Sequence, residues 1–128
     1  MNDAVWDLRR AKLNLSYKEY VRLRAQTTIE ITNSARSGDI GLLLAACEIN
    51  SILHELPELE RRVREEDFLF LTGVASECDG LPLGNERQYW APASLQEKDA
   101  EAQAYELAIR GHLLTAFARI ADDLKESL

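Results

Sequence analysis

The sequence predicts an all-α fold. It is an antiparallel helical bundle of four to five helices with a long C-terminal helix, organised as one domain over residues 1–128. Three observations carry this. Apolar residues recur at three- and four-residue steps along most of the chain, the period of a helix with one buried stripe. Glycine and proline break that pattern at a few points: Gly38, Pro57 and the stretch from Gly80 to Pro92. The one segment of strand-like composition, Phe68-Leu69-Phe70-Leu71, has no second such segment to pair with.

Asn2 or Asp3 suits the N-cap of a first helix, with Val5, Trp6, Leu8 and Leu13 as its apolar positions. Ser16-Tyr17-Lys18-Glu19 is a capping-box sequence, with Leu15 and Tyr20 at the hydrophobic-staple positions. It opens a helix over 17–36 whose inner stripe is Tyr17, Tyr20, Val21, the stem of Arg24, Thr28, Ile31 and Ala35. The run Thr27-Thr28-Ile29 is a poor helix former, so packing must hold it. Gly38 then ends this helix and Asp39 caps the next. From Ile40 to Leu56, Leu43, Leu44, Cys47, Leu53 and Leu56 recur at helical spacing with Ala45, Ala46 and Ile49 beside them, which marks the central core helix. Pro57 ends it, because the residue before a proline is pushed out of helical geometry.

Residues 57–66 are mostly charged. Leu59 and Val63 lie four apart, so a short helix with one apolar stripe is expected, with Glu58/Arg62 and Glu60/Arg64 as i,i+4 pairs. Asp67 suits the cap of a helix starting at Phe68, with Phe68, Leu69, Leu71, Val74 and Ala75 inward. Asp79-Gly80 ends it with a residue suited to positive φ. Leu81-Pro82-Leu83-Gly84 is a turn with two apolar anchors, and 85–90 is short and ambiguous. Pro92 suits a first helical position, and Ser94-Leu95-Gln96-Glu97 is a second capping-box sequence. Helix then runs to the end of the chain on a stripe of Leu95, Ala102, Tyr105, Ala108/Ile109, Leu113, Ala116/Phe117, Ile120 and Leu124. That is about 50 Å of helix. Gly111 in its middle marks a bend or a close helix contact.

The totals narrow the function classes. No apolar run approaches the roughly 18–20 residues a membrane span needs. The first residues carry acids and no apolar leader segment, so the cytoplasm is the default compartment. Residues 1–36 hold seven Lys/Arg and four Asp/Glu, a balance of +3; residues 37–128 hold eight and eighteen, a balance of −10. Most of the molecule therefore repels nucleic acid and anionic membrane, and its charge either simply aids solubility or favours a basic protein surface. Cys47 and Cys78 lack C-x-x-C spacing and read as two reduced, partly buried thiols.

Nucleotide-binding glycine motifs and the G-x-S-x-G nucleophile turn are absent. His54-Glu55 does not continue into H-E-x-x-H, and His112 lies far from it, so neither histidine is a metal ligand. No catalytic residue, cofactor or metal is assigned. Glu77 and Asp79, with Glu86 and Arg87 following, form the nearest carboxylate cluster. It is either an acid/base or cation site, or a structural arrangement in which Glu77 or Asp79 pairs with Arg87. The structural reading is favoured, because no histidine or nucleophile accompanies the cluster. Gly80, Pro82, Gly84, Arg87 and Trp90 are then structural residues of the turn, with Tyr89 and Trp90 as wedges. The acidic residues expected to face a partner are Glu58, Glu60, Glu65, Glu66, Glu77, Asp79 and Glu86.

The stretch D-F-L-F-L-T-G-V-A-S-E-C-D-G-L-P-L-G-N-E-R-Q-Y-W, followed by L-Q-E-K-D-A-E, resembles a pattern found in small, acidic, uncharacterised bacterial proteins. Its shape is D-F-x-x-F, then S-E-x-D-x-L-P-x-G-x-x-R-x-x-W, then a helix with K-D-x-E. The resemblance covers residues 67–106; the second phenylalanine of the pattern falls on Leu71, or on Phe70 in a shifted register. Such proteins look like those often encoded beside secreted toxins. The resemblance thus implies an immunity protein, one that binds and neutralises a cognate toxin by occluding its active site. It carries over no catalytic residues. Two other classes stay open: a self-associating regulatory or scaffold module that forms a homodimer through the last helix, and a small-ligand-binding protein or enzyme using Glu77, Asp79 and Arg87.

Overall fold

A computed structural model describes residues 16–128. The first helix expected over residues 2–13, and Leu15 of the staple, lie outside the described residues. The chain forms α1 (Tyr17–Ser37), α2 (Leu42–Glu55), the single turn α3 (Pro57–Glu60), α4 (Glu65–Glu77), a 3-10 turn (Asn85–Tyr89), α5 (Pro92–Leu124) and a closing 3-10 turn (Lys125–Ser127). No strand occurs among the described residues.

α1 starts at the predicted cap, with the reciprocal Glu19 bond going to the Ser16 hydroxyl in place of its N–H. Ser16 Oγ accepts the Glu19 N–H at 3.1 Å and donates to the Glu19 carboxylate at 3.1 Å. The helix ends at Gly38, φ +89°, where the Gly38 N–H bonds the Ala35 carbonyl and the Asp39 N–H bonds the Ser34 carbonyl. Asp39 does not cap α2, contrary to expectation. It is tied into this terminating motif, its carboxylate accepts from the Ser37 hydroxyl, and α2 begins only after Gly41, without a side-chain cap. The buried positions of α1 are Tyr20, Val21, Ala25, Thr28, Thr32 and Ala35. The threonines suit a buried helix face because their hydroxyls bond back to carbonyls of the preceding turn, Thr28 to Arg24 at 2.8 Å and Thr32 to Ile29 at 2.7 Å.

α2 is the hub. Half of its fourteen residues are buried, and it packs on α1, α4 and α5. Side-chain contacts fix the helix directions. Tyr20 donates to Glu55 at 2.6 Å, which sets the start of α1 beside the end of α2. Asn50 meets Thr72, and His54 meets both Thr72 and Phe68, so α2 and α4 are antiparallel. The Phe70 ring stacks on His112 with centroids 3.6 Å apart, and Asp67 meets Arg119, so α4 and α5 are antiparallel too. The core contains Ile49, Leu53, Leu56, Leu71, Leu113, Phe117, Ile120 and Leu124, each essentially without solvent contact.

Pro57 breaks the chain as expected, with Leu56 extended before it, and Leu59 and Val63 are buried. The two expected i,i+4 pairs do not form, because α3 stops at Glu60. Arg62 instead donates to Ser127 at 2.6 Å, and Arg64 grips Asp123 with two guanidinium bonds of 3.1 Å.

The start of α4 departs most from expectation. The helix begins at Glu65, with Arg64 extended before it. Asp67 is therefore not a cap but a residue of the first turn, and it is completely buried. Its carboxylate receives Arg119 Nε at 3.1 Å and Nη2 at 2.5 Å, and Arg64 Nε lies 3.9 Å away. Leu69, expected inward, is 57% exposed, since it lies two residues from both Asp67 and Leu71 and so on the far side of the helix.

α5 is continuous but unevenly covered. All of its buried residues lie between Leu113 and Leu124. α2 and α4, at fourteen and thirteen residues, span about 20 Å, whereas the 33 residues of α5 span about 50 Å. The N-terminal turns of α5 therefore run past the end of α4 and form an overhang, while Ala102, Tyr105 and Ile109 still pack on the core. It starts from Pro92 after an extended Ala91 with no side-chain cap, so Ser94 falls inside the first turn and its expected capping box is not used. Gly111 is exposed, and a Cβ placed there would meet nothing within 4 Å, so it marks no close helix contact.

Arg119→Met leaves the buried Asp67 carboxylate without its bidentate partner. The variant is expected to lose about 3 kcal/mol of unfolding free energy, read as a lower urea midpoint. In a double-mutant cycle with Asp67→Ala, the paired substitution is expected to cost clearly less than the two singles together.

Candidate functional site

The segment between α4 and α5 fills the space beneath the overhang. Gly80 turns the chain at φ +89°, as Asp79-Gly80 predicts, and the Leu81 N–H bonds the Cys78 carbonyl at 2.9 Å. Pro82 is buried, and Leu81 and Leu83 pack on the core as the two apolar anchors. The turn's polar backbone is then satisfied by its own side chains. Glu86 folds back so that one carboxylate oxygen accepts the Leu83 N–H at 3.1 Å and the Gly84 N–H at 3.2 Å. Hydrogen bonds from its own N–H, then from Gly84 and Leu83, hold the Glu86 carboxyl below its usual range. A Cβ on Gly84 would stand 3.0 Å from that carboxylate, so glycine is what leaves it room.

Arg87 clamps the turn to α5. Its Nη1 donates to the Pro82 carbonyl at 2.9 Å and to Asp99 at 2.6 Å, and its Nη2 donates to the other Asp99 oxygen at 2.9 Å. The expected partner, Glu77 or Asp79, is replaced by Asp99, which presents both oxygens to the planar guanidinium from the overhanging helix. The bond from Arg87 lowers the Asp99 pKa. Trp90 is half-buried. Tyr89 is not a wedge: the 3-10 turn points it outward, 83% exposed.

Glu77 and Asp79 instead face a groove of about 350 Å³ between the end of α4 and the overhang, shared with Leu81, Lys98, Glu101 and Tyr105. Lys98 pairs with Glu101 at 3.0 Å. Among the described residues, neither the Glu77 nor the Asp79 carboxylate has a hydrogen bond or ion pair, and both are exposed. Burial, then the neighbouring Cys78 and Glu77, push the Tyr105 phenol up, so it stays protonated. The groove thus combines two free carboxylates, the Lys98–Glu101 pair, a phenol and the apolar side chain of Leu81.

The other acidic candidates lie elsewhere. Glu65 and Glu66 are exposed at the opposite end of α4, with Glu66 3.9 Å from Arg119. Glu58 and Glu60 are half-buried in α3, and Glu58 borders a cleft with Lys18, Arg22 and Arg62. Glu65 and Glu77 are separated by twelve residues of helix, about 18 Å. The seven candidates therefore form two groups at the two ends of α4, with Glu86 committed to the turn. Lys98, Asp99 and Glu101 went unassigned in the sequence, although K-D-x-E belongs to the pattern, and Tyr105 passed as a core residue. The signal was their spacing: positions 98, 101 and 105 share one helix face.

Among the described residues no group of three or more His, Cys, Asp or Glu side chains could hold a metal ion, and no helix is long and apolar enough to cross a membrane. No family model matches the chain, and no curated protein or solved structure matches it.

Two expectations follow. Arg87→Ala frees the Pro82 carbonyl and Asp99 together. Amide-exchange protection across 83–99 should fall about tenfold while that of α2 holds, because the clamp is local. The carboxyls of Glu86, Asp99 and Asp123 all lie below their ordinary values of 4.5, 3.8 and 3.8. A depressed folded-state pKa contributes stability above the ordinary value and loses it as pH falls through the folded one. The urea midpoint should therefore be flat near neutrality and decline below about pH 4.5. Asp99→Asn should be less stable at neutral pH and show a shallower acid decline.

Proposed function

We propose that this protein is a non-enzymatic, protein-binding module of the immunity type. It neutralises a bacterial toxin by covering the toxin's active site, and it acts in the cytoplasm. The observation that carries the reading is where the polar positions of the resemblance converge. Glu77, Asp79, Lys98 and Glu101 line one groove, while Arg87 and Asp99 bind each other and hold its wall. The free carboxylates of Glu77 and Asp79 present negative charge to a basic partner surface, and the −10 balance of residues 37–128 extends that field. Charge of this kind mainly speeds encounter and sets salt dependence.

The test is co-expression with the toxin encoded beside the gene, followed by pull-down and growth rescue. Glu77→Gln/Asp79→Asn should fold normally and slow association roughly tenfold at low salt, with the difference shrinking at high salt. No complex and no rescue would sink the proposal. A second reading has its own observation. On the outer face of α5, Leu107 is 66% exposed and has Ala104 and Ala108 beside it, also exposed. A salt-resistant homodimer in sedimentation, with no toxin partner, would favour a self-associating module.

A further inference from the structure

We propose that Cys47 and Cys78 are an oxidisable pair that closes to an intramolecular disulfide, joining α2 to the end of α4. The spacing of the two residues in the chain gives no hint of this; the groove they share does. α2 and α4 are antiparallel, with Asn50 opposite Thr72 and His54 opposite both Phe68 and Thr72. Three residues back along α2 from Asn50 is Cys47, and three residues on from Thr72 is Ala75, one helical turn before Cys78. Both cysteines accordingly border one groove, together with Asn50, Ala75 and Leu81. Cys47 is half-exposed there, and Cys78 is buried behind it at the C-terminus of α4.

The thiols also sense each other. Burial pushes the Cys47 thiol up, and the neighbouring Cys78 thiol partly offsets this. Burial, then the neighbouring Cys47, push Cys78 up to about 12. Cys47 is therefore the attacking sulfur and Cys78 the resolving one. With hydrogen peroxide as oxidant, the Cys47 thiolate attacks one oxygen and the O–O bond breaks. Hydroxide leaves and takes up the proton that Cys47 released, and Cys47 becomes a sulfenic acid. The Cys78 sulfur then attacks the Cys47 sulfur, the S–O bond breaks, and water leaves with the Cys78 proton. Two thiols lose two electrons and the peroxide becomes two waters. Because both thiols are held protonated near neutrality, the reaction is slow there and quickens as pH rises.

The test treats the full chain with hydrogen peroxide, blocks free thiols with iodoacetamide and maps the peptides under non-reducing conditions. The expected result is a monomer that loses two hydrogens, shows a linked Cys47–Cys78 peptide pair reversible by dithiothreitol, and forms roughly tenfold faster per pH unit between 7 and 9. Cys47→Ser should leave Cys78 as a free, slowly alkylated thiol in the folded protein. Oxidation that gives only intermolecular dimers, or sulfinic acids without a linked peptide, would overturn the proposal. The wild-type peptide map decides it even if a variant folds poorly.

Discussion

The ion pair of Asp67 and Arg119 sets the register of α4 against α5, and much of the molecule's geometry follows from that register. Asp67 is wholly buried in the first turn of α4, and Arg119 reaches it with two bonds while still partly exposed itself. A buried pair of this kind adds little to stability compared with well-packed apolar side chains. Its effect is positional. A slip of α5 by one helical turn would carry it about 5.4 Å along α4, leaving a buried carboxylate unpaired. Arg64 repeats the constraint through Asp123, one turn beyond Arg119. With that end fixed, Glu77 and Asp79 come to rest opposite Lys98 and Glu101. The groove is thus set by charges at the far end of the helix.

The second determinant is length. α4 ends after thirteen residues while α5 continues well past it, which leaves the N-terminal turns of α5 uncovered by α4. A short turn must cover them, and a turn has backbone groups that no helix or sheet satisfies. Glu86 takes two of its N–H groups and Arg87 takes the Pro82 carbonyl. This separates the acidic residues by role. Charges that look alike in the sequence divide into those that hold the turn, Glu86 and Asp99, and those that hold nothing, Glu77 and Asp79.

Helix breaks and the central core helix were legible because they rest on local rules. Gly38 at positive φ, Pro57 after an extended Leu56, and Gly80 each act where their chemistry predicts. The long-range pairs were not legible in that way. Asp67 precedes an apolar run, and an acid in that position has a local reading as a cap; nothing nearby names a partner 52 residues on. A periodic signal was present all the same. Asp67 falls in register with Leu71, Val74 and Cys78, all buried, and Arg119 falls between Ala116 and Ile120 on the core face of α5. A charge on each of two core stripes is the mark of a buried pair. The Arg87 partner was missed for a different reason: Glu77 and Asp79 are nearer in sequence, but the chain turns at Gly80, and the overhang brings Asp99 closer in space.

Among the described residues the buried polar side chains are largely committed, the Arg24 Nε excepted. The buried polar residues Thr28, Thr32 and Asp67 each have a partner within the chain. They serve helix continuity and register. Uncommitted groups at the surface include the carboxylates of the groove and the outer face of α5. On the proposed reading, that free charge is what a basic partner would meet. Cys47 and Cys78 lie directly behind that groove, where a covalent link between α2 and α4 would act on the same end of the bundle that carries Asp79 and Gly80.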